Sequence, residues 1–215
     1  MPAHNFGNLI LVINMEFELQ CTMAIDAFES SKDNLRAYIK IFKNSPTELS
    51  SFEEIQDYVL RTAKEKHRFF RNIHSCIVSH ANISKLFYWK GDGFKGKNKF
   101  PGSDDEKDKI KEHLKMLRKG LLSFNENDRE LRDHIEHFDE RLINTAYFSD
   151  VSTLGFAHSS SLDERREKIN KENYLREIIF DENQIKYIVR GKNYDLRSMV
   201  EDILKLNQRV QGLTL

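Results

Sequence analysis

Proline is nearly missing from this chain, at three residues in 215, so long stretches are free to be helical. Cysteine is scarcer still. Cys21 and Cys76 have no metal-ligand spacing, and as two free thiols they suit a reducing cytosol. Net charge is absent: Lys plus Arg is 34 and Asp plus Glu is 34. That balance argues against broad electrostatic binding of nucleic acid and leaves room only for a local basic cleft. Long apolar runs are also lacking. Leu9-Ile10-Leu11-Val12-Ile13 is far too short to cross a bilayer and has neither a basic flank nor a small-residue cleavage site. No membrane segment and no leader are therefore expected, and the location expected is cytoplasmic. Residues 1–15 read as an N-terminal arm, with Leu9–Ile13 a short strand or extended piece, or as an extension ahead of a start at Met15.

What is present is a soluble, helix-rich composition, 39% hydrophobic and 32% charged. Glu16 to Asn44 reads as a first long helix, with apolar positions at Phe17, Met23, Ala27, Leu35, Ile39 and Phe42, ended by Asn44-Ser45-Pro46-Thr47. Thr47 or Ser50 opens a second, to about Trp89. Its buried side is marked by Ile55, Val59, Phe69, Phe70, Ile73, Ile77, Ile83 and Leu86, and a break is expected near His80-Ala81-Asn82. Gly91 to Gly102 is a loop. Its Gly91…Gly96-Lys97 falls short of a phosphate-binding loop, because Asn98 stands where a Ser or Thr is needed and a helix precedes it. Ser103 to Phe124 reads as a third helix capped by Ser103, with Ile110, Leu114, Leu117 and Leu121 as its stripe. Lys107, Lys109, Lys111, Lys115, Arg118 and Lys119 form a basic edge.

The densest chemistry lies in Asn127 to Tyr147, NDRELRDHIEHFDERLINTAY. Leu131, Ile135, Phe138 and Leu142 recur at steps of four, three and four, one stripe of an amphipathic helix. Asn127 and Glu130 suit a capping box. The stripe accounts for folding; it does not account for Arg132, Asp133, His134, Glu136, His137, Asp139, Glu140 and Arg141 on the rest of the surface. Asp133 and His137 lie one turn apart, so the carboxylate can orient the ring. Arg132 and Glu136 are likewise placed to pair. Arg132 and His137 differ by about 140° around the axis and about 7.5 Å along it, so one straight helix does not bring both onto one phosphate. A second copy can complete such a site. The plainer reading is a solvated face laced with one-turn ion pairs.

Beyond Tyr147, Ser149 to Ser161 reads as a loop. Glu177–Phe180 and Gln184–Val189 flank Asp181-Glu182-Asn183 as a β-hairpin, and Tyr194 to Val210 closes the chain as a helix. The division expected is an arm over 1–15, a helical bundle over 16–150 and a hairpin-plus-helix appendage over 151–215. Eight histidines raise the question of a metal, but there is no HExxH and no Cys/His cluster. His134 and His137 with Glu130 do not assemble a full ligand set, so no cofactor is expected.

Arg132-Asp133-His134-Ile135-Glu136-His137 is an Arg, a polar residue, three others and a His, and it resembles the signature of the HEPN superfamily. Ser79 to Trp89, SHANISKLFYW, is similar in character to uncharacterised bacterial HEPN-like proteins. The resemblance implies a mainly α, four-helix bundle with the motif on its last helix. It also implies a homodimer whose two motif helices line an RNA-cutting cleft, and a metal-independent endoribonuclease, toxin-like or defence-related, with RNA as substrate and a cognate antitoxin as partner. On that reading Arg132, Asp133 and His137 are the catalytic candidates, and His134, Glu136, Arg141, Lys115 and Arg118 the binding ones. Asp133 departs from the family's frequent Asn at that position. The alternatives are a non-catalytic RNA- or nucleotide-binding or protein-interaction module on the same scaffold, and a purely structural or regulatory dimer; zero net charge speaks for the former.

Overall fold

The computed structural model of the chain describes residues 6–46, 51–89, 102–124, 131, 155–158, 176–180, 185–189 and 192–214. Their order is α1 (Phe6–Lys43), α2 (Phe52–Phe87), α3 (Asp104–Arg118), a 3-10 turn (Leu122–Phe124), β1 (Gly155–His158), β2 (Arg176–Phe180), β3 (Ile185–Val189), β4 (Lys192–Asp195) and α4 (Leu196–Thr214). The chain is mainly helical. It divides into two compact units, Met1–Lys119 with Ile203–Leu215, and Gly120–Asp202.

The first unit is built on an α1–α2 hairpin. Phe17 meets Phe87 with ring centroids 4.8 Å apart, Asn82 Nδ2 donates to Gln20 Oε1 and Asn72 Nδ2 to Asn34 Oδ1. Rising numbers on α1 against falling numbers on α2 make the pair antiparallel. Phe17, Cys21, Ala24, Phe28 and Leu35 of α1 and Phe69, Ile73, Cys76, Ile77, Ile83 and Phe87 of α2 form the buried seam. Each large side chain so buried contributes about 1.5–3 kcal/mol. Ser51 opens α2 with a reciprocal capping box to Glu54, and Ser103 opens α3 the same way with Glu106. Gly120, at φ 73°, follows the end of α3, in a left-handed conformation that costs other residues energy.

Several expectations are corrected. Leu9–Ile13 are not a strand or extended arm; α1 begins at Phe6 and carries them. α2 runs unbroken through His80, Ala81 and Asn82, because His80 and Ala81 are buried and Asn82 is tied to Gln20. Ile55 and Val59 sit on the expected side of α2 but are 43% and 55% exposed, since no residue of α2 before Phe69 is buried. Met23 and Phe42, read as core positions of the first helix, are exposed too. Gly7–Lys43 is one helix long and apolar enough by length and composition to cross a membrane, a test that core helices and signal sequences near an N-terminus also pass.

The second unit holds a four-stranded sheet in the order β1-β2-β3-β4. β2 and β3 form the expected hairpin, closed by Phe180 opposite Ile185, and β4 extends it antiparallel. Gly155–His158, expected within a loop, instead pair in parallel with Glu177–Phe180. Ile178, Ile179 and Phe180 are buried in succession, as in a strand covered on both faces. Tyr194 lies in β4 rather than starting the last helix, because Asp195 Oδ1 accepts from the backbone N–H of Arg197 and Ser198 and so caps α4.

Candidate functional site

Arg132, Asp133, His134, Glu136, His137 and Arg141 lie outside the described residues. The residue just before them does not: Leu131 is helical and 3% exposed, as the stripe reading requires. The two binding candidates on α3 are both engaged. Lys115 Nζ stands 3.7 Å from Glu112, in the open, and the Arg118 guanidinium lies 4.5 Å from the Tyr88 ring centroid, a cation–π contact that ties α3 to the end of α2. Two more residues of the basic edge are compensated one turn away: Lys109 pairs with Asp105 and Lys111 with Asp108. Such exposed pairs add about 0.3–0.5 kcal/mol each and leave α3 with little free positive field.

The first unit also holds polar contacts that the stripes did not announce. Asn14, 4% exposed, faces His113 of α3 with Oδ1 and Nε2 at 2.8 Å. Burial holds the His113 ring below its ordinary pKa, so at neutral pH it is uncharged and Nε2 is the donor to the amide oxygen. Gln20 accepts from Asn82 and donates to Glu16. Asn34 donates to Glu65 and accepts from Asn72. These amides bridge helices rather than line a cleft, and they specify the pairing of α1 with α2 and α3. The available signal was a polar residue on the buried side of α1, Asn14 and Gln20 among Phe17, Cys21 and Ala24.

Arg209 of α4 holds the end of α3 by donating Nη1 to the Leu117 and Lys119 carbonyls at 2.6 and 2.7 Å. Those carbonyls are left over at a helix C-terminus, where a cation is favoured. A cavity of about 660 Å³ opens between the C-terminal part of α1 and the N-terminal part of α2, lined by Lys40, Asn44, Asp57, Tyr58, Arg61 and Lys64 among others. It presents charge of both signs, Glu54, Asp57 and Glu65 against Lys40, Arg61 and Lys64. Among the described residues no group of three His, Cys, Asp or Glu is placed to hold a metal ion. Cys21 and Cys76 are buried, with thiols pushed up to about 12, Cys21 by burial first and then by Glu18, Cys76 by burial. They are packing groups, not nucleophiles. Compared with family models, curated proteins and solved structures, the chain matches none.

Proposed function

We propose that this protein is a metal-independent endoribonuclease of the HEPN type, a toxin-like or defence-related enzyme with a four-helix HEPN-like core. The observation that carries the reading is the run Arg132-Asp133-His134-Ile135-Glu136-His137, starting directly after a helical, buried Leu131. With Leu131 on the stripe, a continuing helix turns Arg132 and His137 off it. His137 moves the proton, either taking it from the 2′-hydroxyl or giving it to the leaving oxygen. Arg132 holds the scissile phosphate and stabilises its growing charge. Asp133, one turn from His137, orients the ring and favours its cationic form. The divergence of Arg132 and His137 calls for a homodimer that brings two motif helices together.

The test is incubation of the protein with mixed RNAs in chelator, beside His137→Ala. Cleavage that leaves 2′,3′-cyclic phosphate ends, survives chelator and falls by about 10²–10⁴-fold in the variant is the expected outcome. Cleavage that needs magnesium, or is indifferent to His137→Ala, defeats the mechanism. The second reading, a non-catalytic binding or interaction module, draws support from the compensated charges of α3. Wild-type protein that binds RNA or a protein partner and never cuts decides for it.

A further inference from the structure

α1 has a second apolar side that stays exposed among the described residues. Leu11, Val12, Met15, Leu19 and Met23 are 46%, 59%, 57%, 52% and 50% exposed. Four of them, Leu11, Met15, Leu19 and Met23, follow one another at steps of four and make a single ridge along the helix. The opposite side of α1 is committed to the core, with Phe17, Cys21 and Ala24 fully buried and Asn14 and Gln20 hydrogen-bonded to α3 and α2. A membrane-spanning α1 would have to give up all of those contacts.

We infer that this ridge is the contact surface for a second copy of the same chain, packed α1 against α1 about a two-fold axis between Met15 and Leu19. Two features on the ridge select that occupant. A ridge of steps of four is the unit of the commonest helix-packing class, crossing at about −50°, and here it is self-complementary. Turned end for end, Leu11 meets Met23 of the other copy and Met15 meets Leu19. The area is sufficient as well. At those exposures, residues of about 150–200 Å² each leave on the order of 500 Å² per copy, so a pair reaches the roughly 1,000 Å² at which specific interfaces begin.

Charge excludes two other occupants. No Lys or Arg precedes Lys32, and Glu16 and Glu18 flank the ridge. A nucleic acid or an anionic lipid surface needs basic residues that this stretch does not have. The carboxylates weaken the contact between two copies slightly at low salt, and screening removes that repulsion. The contact does not rest on the nuclease reading: it stands whether or not RNA is cut.

The experiment is sedimentation equilibrium of the full chain from about 1 to 100 µM, beside Met15→Glu/Leu19→Glu. Both side chains are half exposed, so the fold tolerates the change, and circular dichroism checks it. A wild-type dimer is expected, no weaker at about 0.5 M salt than at 0.1 M. The double variant should dissociate at least about 100-fold more readily. A second measurement keeps the native surface: Met15→Cys places a thiol close to the two-fold axis, while Cys21 and Cys76 are buried. Mild oxidation should then link two copies. A wild-type monomer at the top concentration overturns the proposal. So does a dimer that ignores both glutamates and does not crosslink through residue 15, or a monomer that binds neutral phosphatidylcholine vesicles through this ridge.

Discussion

His113 of α3 and Asn14 of α1 share a hydrogen bond, Nε2 to Oδ1 at 2.8 Å, with Asn14 almost wholly out of solvent. Because burial lowers the ring's pKa from 6.5, the folded state favours the neutral form. Above 6.5 the ring is neutral folded and unfolded, and the contribution is complete. As pH falls through 6.5 toward the lowered folded value, the unfolded chain takes up the proton first and stability is lost. Urea midpoints at pH 7.5 and 5.5 should therefore fall more in wild type than in His113→Gln, which keeps a neutral donor. Equal falls in the two proteins would remove His113 from the account.

The thiols give a simpler expectation. Cys21 and Cys76, both pushed up to about 12, hold almost no thiolate at pH 8. In the native protein they should resist a disulfide reagent for as long as the fold stays closed, and both should react once urea unfolds it. Fast labelling of either cysteine in the native state would contradict its burial.

Arg209→Ala should destabilise the first unit by about 1.5–3 kcal/mol, the usual scale for hydrogen bonds to a charged group. The substitution leaves the Leu117 and Lys119 carbonyls without their cation. Arg209→Lys should recover only part of the loss, since an ammonium lacks the guanidinium's planar reach. Urea denaturation of the three proteins measures it.

Phe17→Ala removes a fully buried ring that packs on Phe87, and about 3–5 kcal/mol of stability should go with it. Phe52→Ala, at a site 75% exposed on α2, should change stability by less than about 0.5 kcal/mol. A similar cost at the two positions would mean that the hairpin seam is not where the helices are held.

Gly120→Ala isolates a backbone effect. Nothing lies within 4 Å of an added Cβ, yet φ is +73°. The expected loss is about 1–2 kcal/mol, seen as a lower urea midpoint, and it arises from the left-handed conformation alone.

Much of the local structure was legible because it is written locally. Ile110, Leu114 and Leu117 are buried as their spacing implies and Ser103 caps α3, but the helix stops at Arg118 rather than Phe124, so Leu121 is buried beyond it, after the left-handed Gly120. Glu177–Phe180 and Ile185–Val189 pair across their short turn. The misreadings share one cause. Ile55, Val59 and Met23 sit at core-like spacings, and spacing identifies a face without identifying what stands opposite it. Gly155–His158 give a weak signal, because a short strand is fixed by its partner and that partner lies beyond residue 175. Of the candidate site, the motif and the burial of Leu131 could be read from the residues, while Arg118's commitment to Tyr88 could not.

The sequence by itself determined the helical character of this chain, the Ser103 cap of its third helix, the hairpin near its end and the concentration of ionisable groups after Leu131, while the second helix is capped by Ser51 rather than Thr47 or Ser50. Periodicity, capping and turn chemistry act over a few residues, so they survive in the linear order. Only the tertiary structure decided which side of α1 is covered, that Asn14 answers His113, that Arg209 closes α3 and that β1 joins β2 in parallel. Each of those is a contact between distant segments, and its energy exists only once both have been brought to the same place.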